Sequence, residues 1–450
     1  MKPIIKTITS FITVALVGHI SFFQSVSANT TEQDTESLVQ RLKELERKVE
    51  LLSTKTVTAQ TLSQKQDKNW QIISYGSIAY SNAPVFRNIQ DTDAENKGTA
   101  DLERVVLELK YRPSDKWQIE TEIEFEHGGT GAALEYDGFE EFGEFETEIE
   151  AGGEVLVEKI EFKYTHNDNI SVKFGHIALP VGLGTDFHKP DQYFTTQRHW
   201  SEATLIPQTW HETGINLLTN WQNFHLQTLI TTGLNSEYFR TYNWIASGHQ
   251  QRFETNNADD LALTVRLDYG DIRKESGIGF SYYSSNTSGN RHNDNNVSAD
   301  GHVSILGLHG VWRSHDFTVK AQYLLGNLQD SEVITQANKT TAGLQPGNFA
   351  LIGSEAHAGF VEAGFHVNDL FNITNPTTLF VAYSFANPVK QVESSTATDR
   401  FDTSELAFGI NYKPVKNIVI KSQFAIQQYA VEAIDDTSSF GISVGYQFSI

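Results

Sequence analysis

The fold turns on one stretch, WQIETEIEFEH, Trp117–His127. Glu120, Glu122, Glu124 and Glu126 stand at every second position, with Ile119, Thr121, Ile123 and Phe125 between them and Trp117 ahead. A strand sends successive side chains to opposite faces, so one face is apolar and the other is a ladder of carboxylates. A soluble sheet tolerates this if the carboxylates face water and the isoleucines a core. A transmembrane barrel tolerates it if the isoleucines face lipid and the carboxylates a wet lumen.

The rest of the chain decides between them. From Trp70 onward the same period of two recurs. Val105, Leu107, Leu109 and Tyr111 oppose Arg104, Glu108, Lys110 and Arg112. Leu261, Leu263, Val265 and Leu267 oppose Ala262, Thr264, Arg266 and Asp268. Phe440, Ile442, Val444, Tyr446, Phe448 and Ile450 oppose Gly441, Ser443, Gly445, Gln447 and Ser449. Each apolar face spans about five alternate positions, the length a tilted strand needs to cross a bilayer.

The connections fall into two classes that alternate. Short turns lie near 112–116, 166–169, 220–223, 270–275, 313–316, 368–376 and 413–417. Long polar segments lie near 82–100, 127–153, 177–209, 233–260, 284–301, 326–356, 386–403 and 428–437. That makes sixteen strands, eight long loops and seven short turns. An even strand number with turns at one end and loops at the other is how outer-membrane barrels are built, whereas a sandwich has no reason to segregate loops by length. The expected fold is all-β: a 16-stranded antiparallel transmembrane β-barrel over residues 70–450, in a bacterial outer membrane and in contact with its lipid. The glutamates would then line a water-filled lumen.

The preceding segments fit that destination. Lys2 and Lys6, the apolar run Ile8 to Val17 and the small residues Val26-Ser27-Ala28 predict a signal peptide over 1–28. Residues 29–53 contain a seam of Leu38, Leu42, Leu45, Val49 and Leu52, spaced four, three, four, three. Such a seam makes either a short periplasmic coiled coil or an amphipathic helix packed on the protein's own body. Residues 54–69, rich in Thr, Gln, Lys and Ser, read as a linker.

Composition narrows the function. The 450 residues carry 34 Lys plus Arg against 56 Asp plus Glu, a net charge of -22, which argues against a nucleic-acid partner. Cysteine is absent, so no disulfide, thiolate metal site or thiol nucleophile exists.

Several stretches bear chemistry. The acidic loop 135–150 holds Glu135, Asp137, Glu140, Glu141, Glu144, Glu146, Glu148 and Glu150 with no Lys or Arg. Either solvation or a calcium-like divalent cation would relieve that repulsion; otherwise no cofactor is expected. The third loop is the longest, punctuated by Gly175, Pro180, Gly182 and Gly184. It offers His188, Lys189, Asp191, Arg198, His199 and Glu202, a set of both signs suited to a constriction if the loop folds inward. The other arrangement is an outward lid. On the strand faces predicted for the lumen, Arg104, Glu108, Lys110, Glu120, Glu122, Glu124, Lys159, Lys173, Arg266 and Lys320 make a mixed-charge pore wall, joined by Glu161, Lys163, Asp268 and Lys421. His188, His199 and His211 fit no metal-ligand spacing on one face, and no metal site is expected. His302 and Ser304 share a face opposite Val303 and Ile305, which the alternation assigns to the lumen, but no nucleophile turn surrounds them and no enzyme is expected.

The heptad segment, EIEFEHGGTG (122–131), FGHIALPVGLG (174–184) and IPQTWHETGI (206–215) resemble the phosphate-selective porin O and P family. The resemblance implies a sixteen-stranded trimeric outer-membrane porin with constricting loops. Phosphate-selective members cluster lysines at the constriction; here the third loop has Lys189 and Arg198 against Asp186, Asp191 and Glu202, so that selectivity is not carried over. The expected function is a passive diffusion channel for small hydrophilic solutes or ions. The alternative is a substrate-specific receptor barrel, for a siderophore or metal chelate.

Overall fold

The computed structural model describes residues 69–129, 132–134, 149–151, 154–250, 255–292, 296–340 and 350–450, with Lys43, Glu44, Arg47 and Lys48. The chain forms two compact units, Met1–Lys68 and Asn69–Ile450. In the first, the four described residues are helical and Lys48 Nζ lies 2.9 Å from Glu44 Oε1. The signal peptide, the leucine seam and the linker up to residue 68 lie outside the described residues, as do residues 135–148 of the acidic loop with its candidate cation.

The second unit is a barrel. Its strands are β1 (Trp70–Val85), β2 (Glu95–Ser114), β3 (Trp117–Glu126), β6 (Glu154–Asn167), β7 (Ile170–Ala178) and β8 (His211–Trp221). They continue with β9 (Phe224–Thr232), β10 (Leu261–Tyr269), β11 (Gly277–Ser285), β12 (Val303–Arg313) and β13 (Phe317–Leu328). The last are β14 (Glu355–His366), β15 (Thr377–Gln391), β16 (Thr403–Val415), β17 (Ile418–Tyr429) and β18 (Thr437–Ser449). Two short strands in the second loop, β4 (Ala132–Leu134) and β5 (Ile149–Ala151), pair only with each other. The sixteen others close into one antiparallel cylinder, as the alternation predicts. Closure runs from Ile73 opposite Ser449 to Asn82 opposite Phe440, with Ile72 and Ile450 exchanging backbone hydrogen bonds of 3.1 and 2.9 Å.

The outer face is apolar all round. Ile78, Val105, Ile215, Ile230, Leu263, Phe280, Leu308, Val361, Val381, Phe408 and Ile442 are exposed along the strands, where lipid covers them. Aromatic pairs mark the end with the short turns: Trp70 with Tyr111 at 4.4 Å, Trp117 with Tyr164 at 5.0 Å, Phe317 with Phe365 at 4.8 Å. Indole and phenol rings, apolar with a polar tip, suit that membrane boundary. The seven turns fall where the sequence puts them. The first long loop is shorter than read: β1 and β2 stay paired out to Val85 opposite Glu95, because a hairpin can keep its ladder beyond the bilayer.

The interior departs from a simple wet lumen. Along β9–β15 the inward residues Leu229, Ala262, Tyr283, Val303, Ile305, Leu324, Leu328 and Ala358 are buried. Against them pack Leu205, Ile206, Trp210, Phe239, Trp244, Ile245 and Ile334 from the loops. Trp244 Nε1 donates to Gly353 O at 2.9 Å, which satisfies the one polar atom of a fully buried indole. Part of the barrel is therefore filled with a hydrophobic core. This overturns one assignment. Val303 and Ile305 point inward, whereas Ser304 shares the outward face with the exposed Leu306 and Leu308, so His302 and Ser304 do not form a lumen pair. Alternation alone assigns the apolar Val303 and Ile305 to lipid, but here they meet loop residues.

Placing a charge on the lipid face tests the orientation. Val381→Arg should cost about 2–4 kcal/mol of folding free energy in a bilayer, read as a lower urea midpoint for folding into vesicles. An unchanged midpoint would place residue 381 away from lipid.

Candidate functional site

The segment 179–210 between β7 and β8 lies inside the cylinder. Its ends meet, with Leu179 N–H donating to Trp210 O at 2.8 Å. Between them it touches strands on all sides, because its irregular backbone needs partners that a dry interior does not supply. Charged wall residues provide them. Lys421 Nζ donates to Tyr193 O and Thr195 O at 2.8 and 2.9 Å and sits 3.6 Å from the Tyr193 ring centre. Lys320 donates to Gln192 O and pairs with Glu362, which accepts from Phe194 N–H at 2.9 Å. Arg266 Nη1 donates to Gly182 O at 3.0 Å and its Nη2 lies 2.7 Å from Asp186. Arg104 donates to His188 O.

Glycines allow the close approaches. Gly182 has φ +73, and a Cβ on Gly184 would fall 1.8 Å from Glu202 Oε1. Glu202 accepts from Gly184 N–H at 3.1 Å and from Gln322, while Leu183 N–H donates to Gln322 Oε1 at 2.6 Å. Burial pushes the Glu202 carboxyl up to about 7, against these hydrogen bonds. Burial acts to raise Asp186 too, but the guanidiniums of Arg266 and Arg273 hold it below the usual carboxylate range. Burial pushes His188 down to about 3, so its ring is neutral.

The residues expected at a constriction are thus in one segment with separate partners. His188 faces Tyr75, ring centres 5.5 Å apart. Lys189 Nζ lies 3.4 Å from Glu108. Asp191, at the exposed edge, lies 3.3 Å from Lys413. His199 stacks on Phe360 at 3.7 Å, with Nε2 3.2 Å from Glu362 and Nδ1 3.1 Å from Ser384 Oγ. His211 lies 3.6 Å from Glu158, so the three histidines do not converge.

The opening glutamates sit in a buried ion-pair cluster. Lys159 bonds Glu120 and lies 2.9 Å from Glu122; Lys110 lies 2.7 Å from Glu108 and 3.0 Å from Glu120. Arg104 lies 3.3 Å from Glu124, and Lys173 2.9 Å from Glu161. Glu108, Glu120, Glu122 and Glu124 are each at most 6% exposed. Pairing is what makes such burial tolerable, and removing one partner is costly.

Strict alternation misses two carboxylates. The register between β3 and β6 jumps from Glu122 opposite Lys159 to Ile123 opposite Val157, so β6 bulges at Glu158 and turns both Glu158 and Lys159 inward. A second bulge, where Ser77 faces Arg104 and Ala79 faces Asp101, brings Glu103 inward beside Arg104. No sequence signal marks either bulge.

Among the described residues one cavity of about 410 Å³ borders the segment at Trp200 and Thr204, away from Arg198, and three others lie around Arg198. One of about 480 Å³ on the loop side is lined by Glu103, Glu124, Glu158, Gln197 and Arg198, among others. One of about 190 Å³ lies toward Glu405 and Gln423. One of about 30 Å³ lies between Glu202, His199 and Lys320. Arg198 lines all three. Its Nη1 is buried without a hydrogen-bond partner among the described residues.

No family model matches the chain. An uncharacterised protein of Aquifex aeolicus (strain VF5) is 22% identical over 373 residues, covering 80% of this chain and 76% of that one. Among solved structures, OmpF of Salmonella typhi, solved with daunomycin, aligns over 85% of this chain and 99% of that chain, at 11% identity and a TM-score of 0.53. The outer-membrane channel DcaP of Acinetobacter baumannii aligns over 84% and 96%, at 13% identity and a TM-score of 0.47. The fold is that of the outer-membrane porins, a transmembrane barrel of the bacterial outer membrane. Nothing in these likenesses points to phosphate.

The buried Glu202 makes stability depend on pH. A carboxyl titrating near 7 when folded and near 4.3 when unfolded favours the folded state most below about pH 4, and that gain is lost as pH rises through 7. Between pH 5 and 8 the wild type should lose on the order of 2 kcal/mol that Glu202→Gln retains, seen as a steeper fall in the temperature at which unheated gel mobility changes. Equal pH slopes would contradict a buried, neutral Glu202.

Proposed function

We propose that this barrel is a passive diffusion channel for small hydrophilic solutes or ions, with segment 179–210 as its constriction. The observation that carries the reading is Arg198, a side chain shared by three of the cavities that border the segment. A solute moving between those spaces passes its guanidinium. Its charge is opposed across the loop-side cavity by Glu103, which makes a transverse field able to sort solutes by charge and orientation. Lys189 and Asp191 contribute less to that field, since each has a partner of opposite charge. Arg104, Arg266 and Lys320 act as clamps on the segment, and Glu108, Lys110, Glu120, Glu122, Lys159 and Lys173 as the ion-paired wall below it. The likeness of the cylinder to a solved porin supports the channel reading at the level of fold. A homotrimer, as in the family the sequence resembles, completes the proposal.

One observation favours the receptor alternative. The cavity between Glu202, His199 and Lys320, about 30 Å³, has room for about one water. A barrel that opens only when its ligand displaces the segment would look like this.

Planar-bilayer recording separates the two. The channel predicts a steady ohmic current, and Arg198→Glu should move the reversal potential in a salt gradient toward cation selectivity. Silence until a ligand is added would favour the receptor. An unchanged reversal potential in Arg198→Glu would remove the constriction role of that residue.

A further inference from the structure

The loop-side cavity of about 480 Å³ holds an unbalanced pair of groups. Most charges around it have partners. Arg104 pairs with Glu124 at 3.3 Å, and His127 with Asp101 at 2.9 Å. Two charged lining residues differ. Glu103 Oε2 and Arg198 Nη1 are buried atoms without a hydrogen-bond partner among the described residues. One is an acceptor of negative charge on the wall, and the other a donor of positive charge on the segment.

A buried polar atom without a hydrogen-bond partner is costly, and the cost falls when a ligand supplies that partner. An ammonium group satisfies a carboxylate, and a carboxylate fits the planar fork of a guanidinium. We infer that this cavity binds a small amphoteric solute, a molecule carrying an amine at one end and a carboxylate at the other, with the amine at Glu103 and the carboxylate at Arg198. The inference deepens the channel reading and rests on it for the solute's passage, but not for its binding.

The test uses the full chain in detergent and in planar bilayers, with unbranched ω-amino acids from glycine to 6-aminohexanoate as probes. Butylamine and butanoate serve as the single-ended controls. Titration calorimetry needs no ion flow, and the same probes are then added during current recording. One member of the series should bind about tenfold more tightly than either control, with an optimum length set by the spacing of the two groups. Arg198→Gln should reduce its affinity to that of the amine, and Glu103→Gln to that of the acid, with unheated gel mobility reporting that both variants fold. Butylamine binding the wild type as tightly as the best amino acid would overturn the proposal in favour of a plain cation site. Steady current with no binding of the series would overturn it too, while leaving the channel standing. Binding without any current would support the site and remove the channel.

Discussion

In hydrocarbon a backbone N–H or C=O has no water to turn to, so each needs a partner within the protein. The closure of β1 on β18 meets that demand for the whole sheet. A cylinder has no edge, and its outer face is then free to carry Val, Ile, Leu and Phe against lipid. The period-two pattern, the alternation of turns with loops, and the aromatic ring near the turns are all consequences of that closure.

Closing sixteen strands leaves a space too wide to remain a selective path. This chain divides it. Trp210, Trp244 and Ile334 fill the region along β9–β15 as a core, while paired carboxylates and lysines line β2, β3 and β6. Segment 179–210 runs between the two. Its carbonyls accept from Arg104, Arg266, Lys320 and Lys421, cations that tie an irregular backbone to a regular wall. Those cations serve to hold the segment, and Arg198, without such a tie among the described residues, faces the spaces around it.

Much of this was legible because a strand's geometry is strict. Alternation in WQIETEIEFEH and its counterparts yielded the strand number, the turns and the inward placement of Glu108, Glu120, Glu122 and Glu124. Where geometry loosens, reading failed. Bulges at Glu158 and near Glu103 shift the face by one residue and leave no mark in composition. On β12 both faces are apolar, so hydrophobicity does not tell lipid from core, and the lumen placement expected for Ser304 is reversed. The third loop's aromatic and aliphatic content favoured burial, yet which wall residue meets which carbonyl depends on tertiary packing that no local pattern encodes.

The most direct test of this divided interior uses the chain's lack of cysteine. Single cysteines from 303 to 308, each carrying a nitroxide, report contact with oxygen in lipid or with a water-soluble nickel chelate. Oxygen contact is expected at 304, 306 and 308, and shelter from both at 303 and 305. Strong contact with the nickel chelate at 303 and 305 would mean that a wet lumen, not a packed core, lies behind β12.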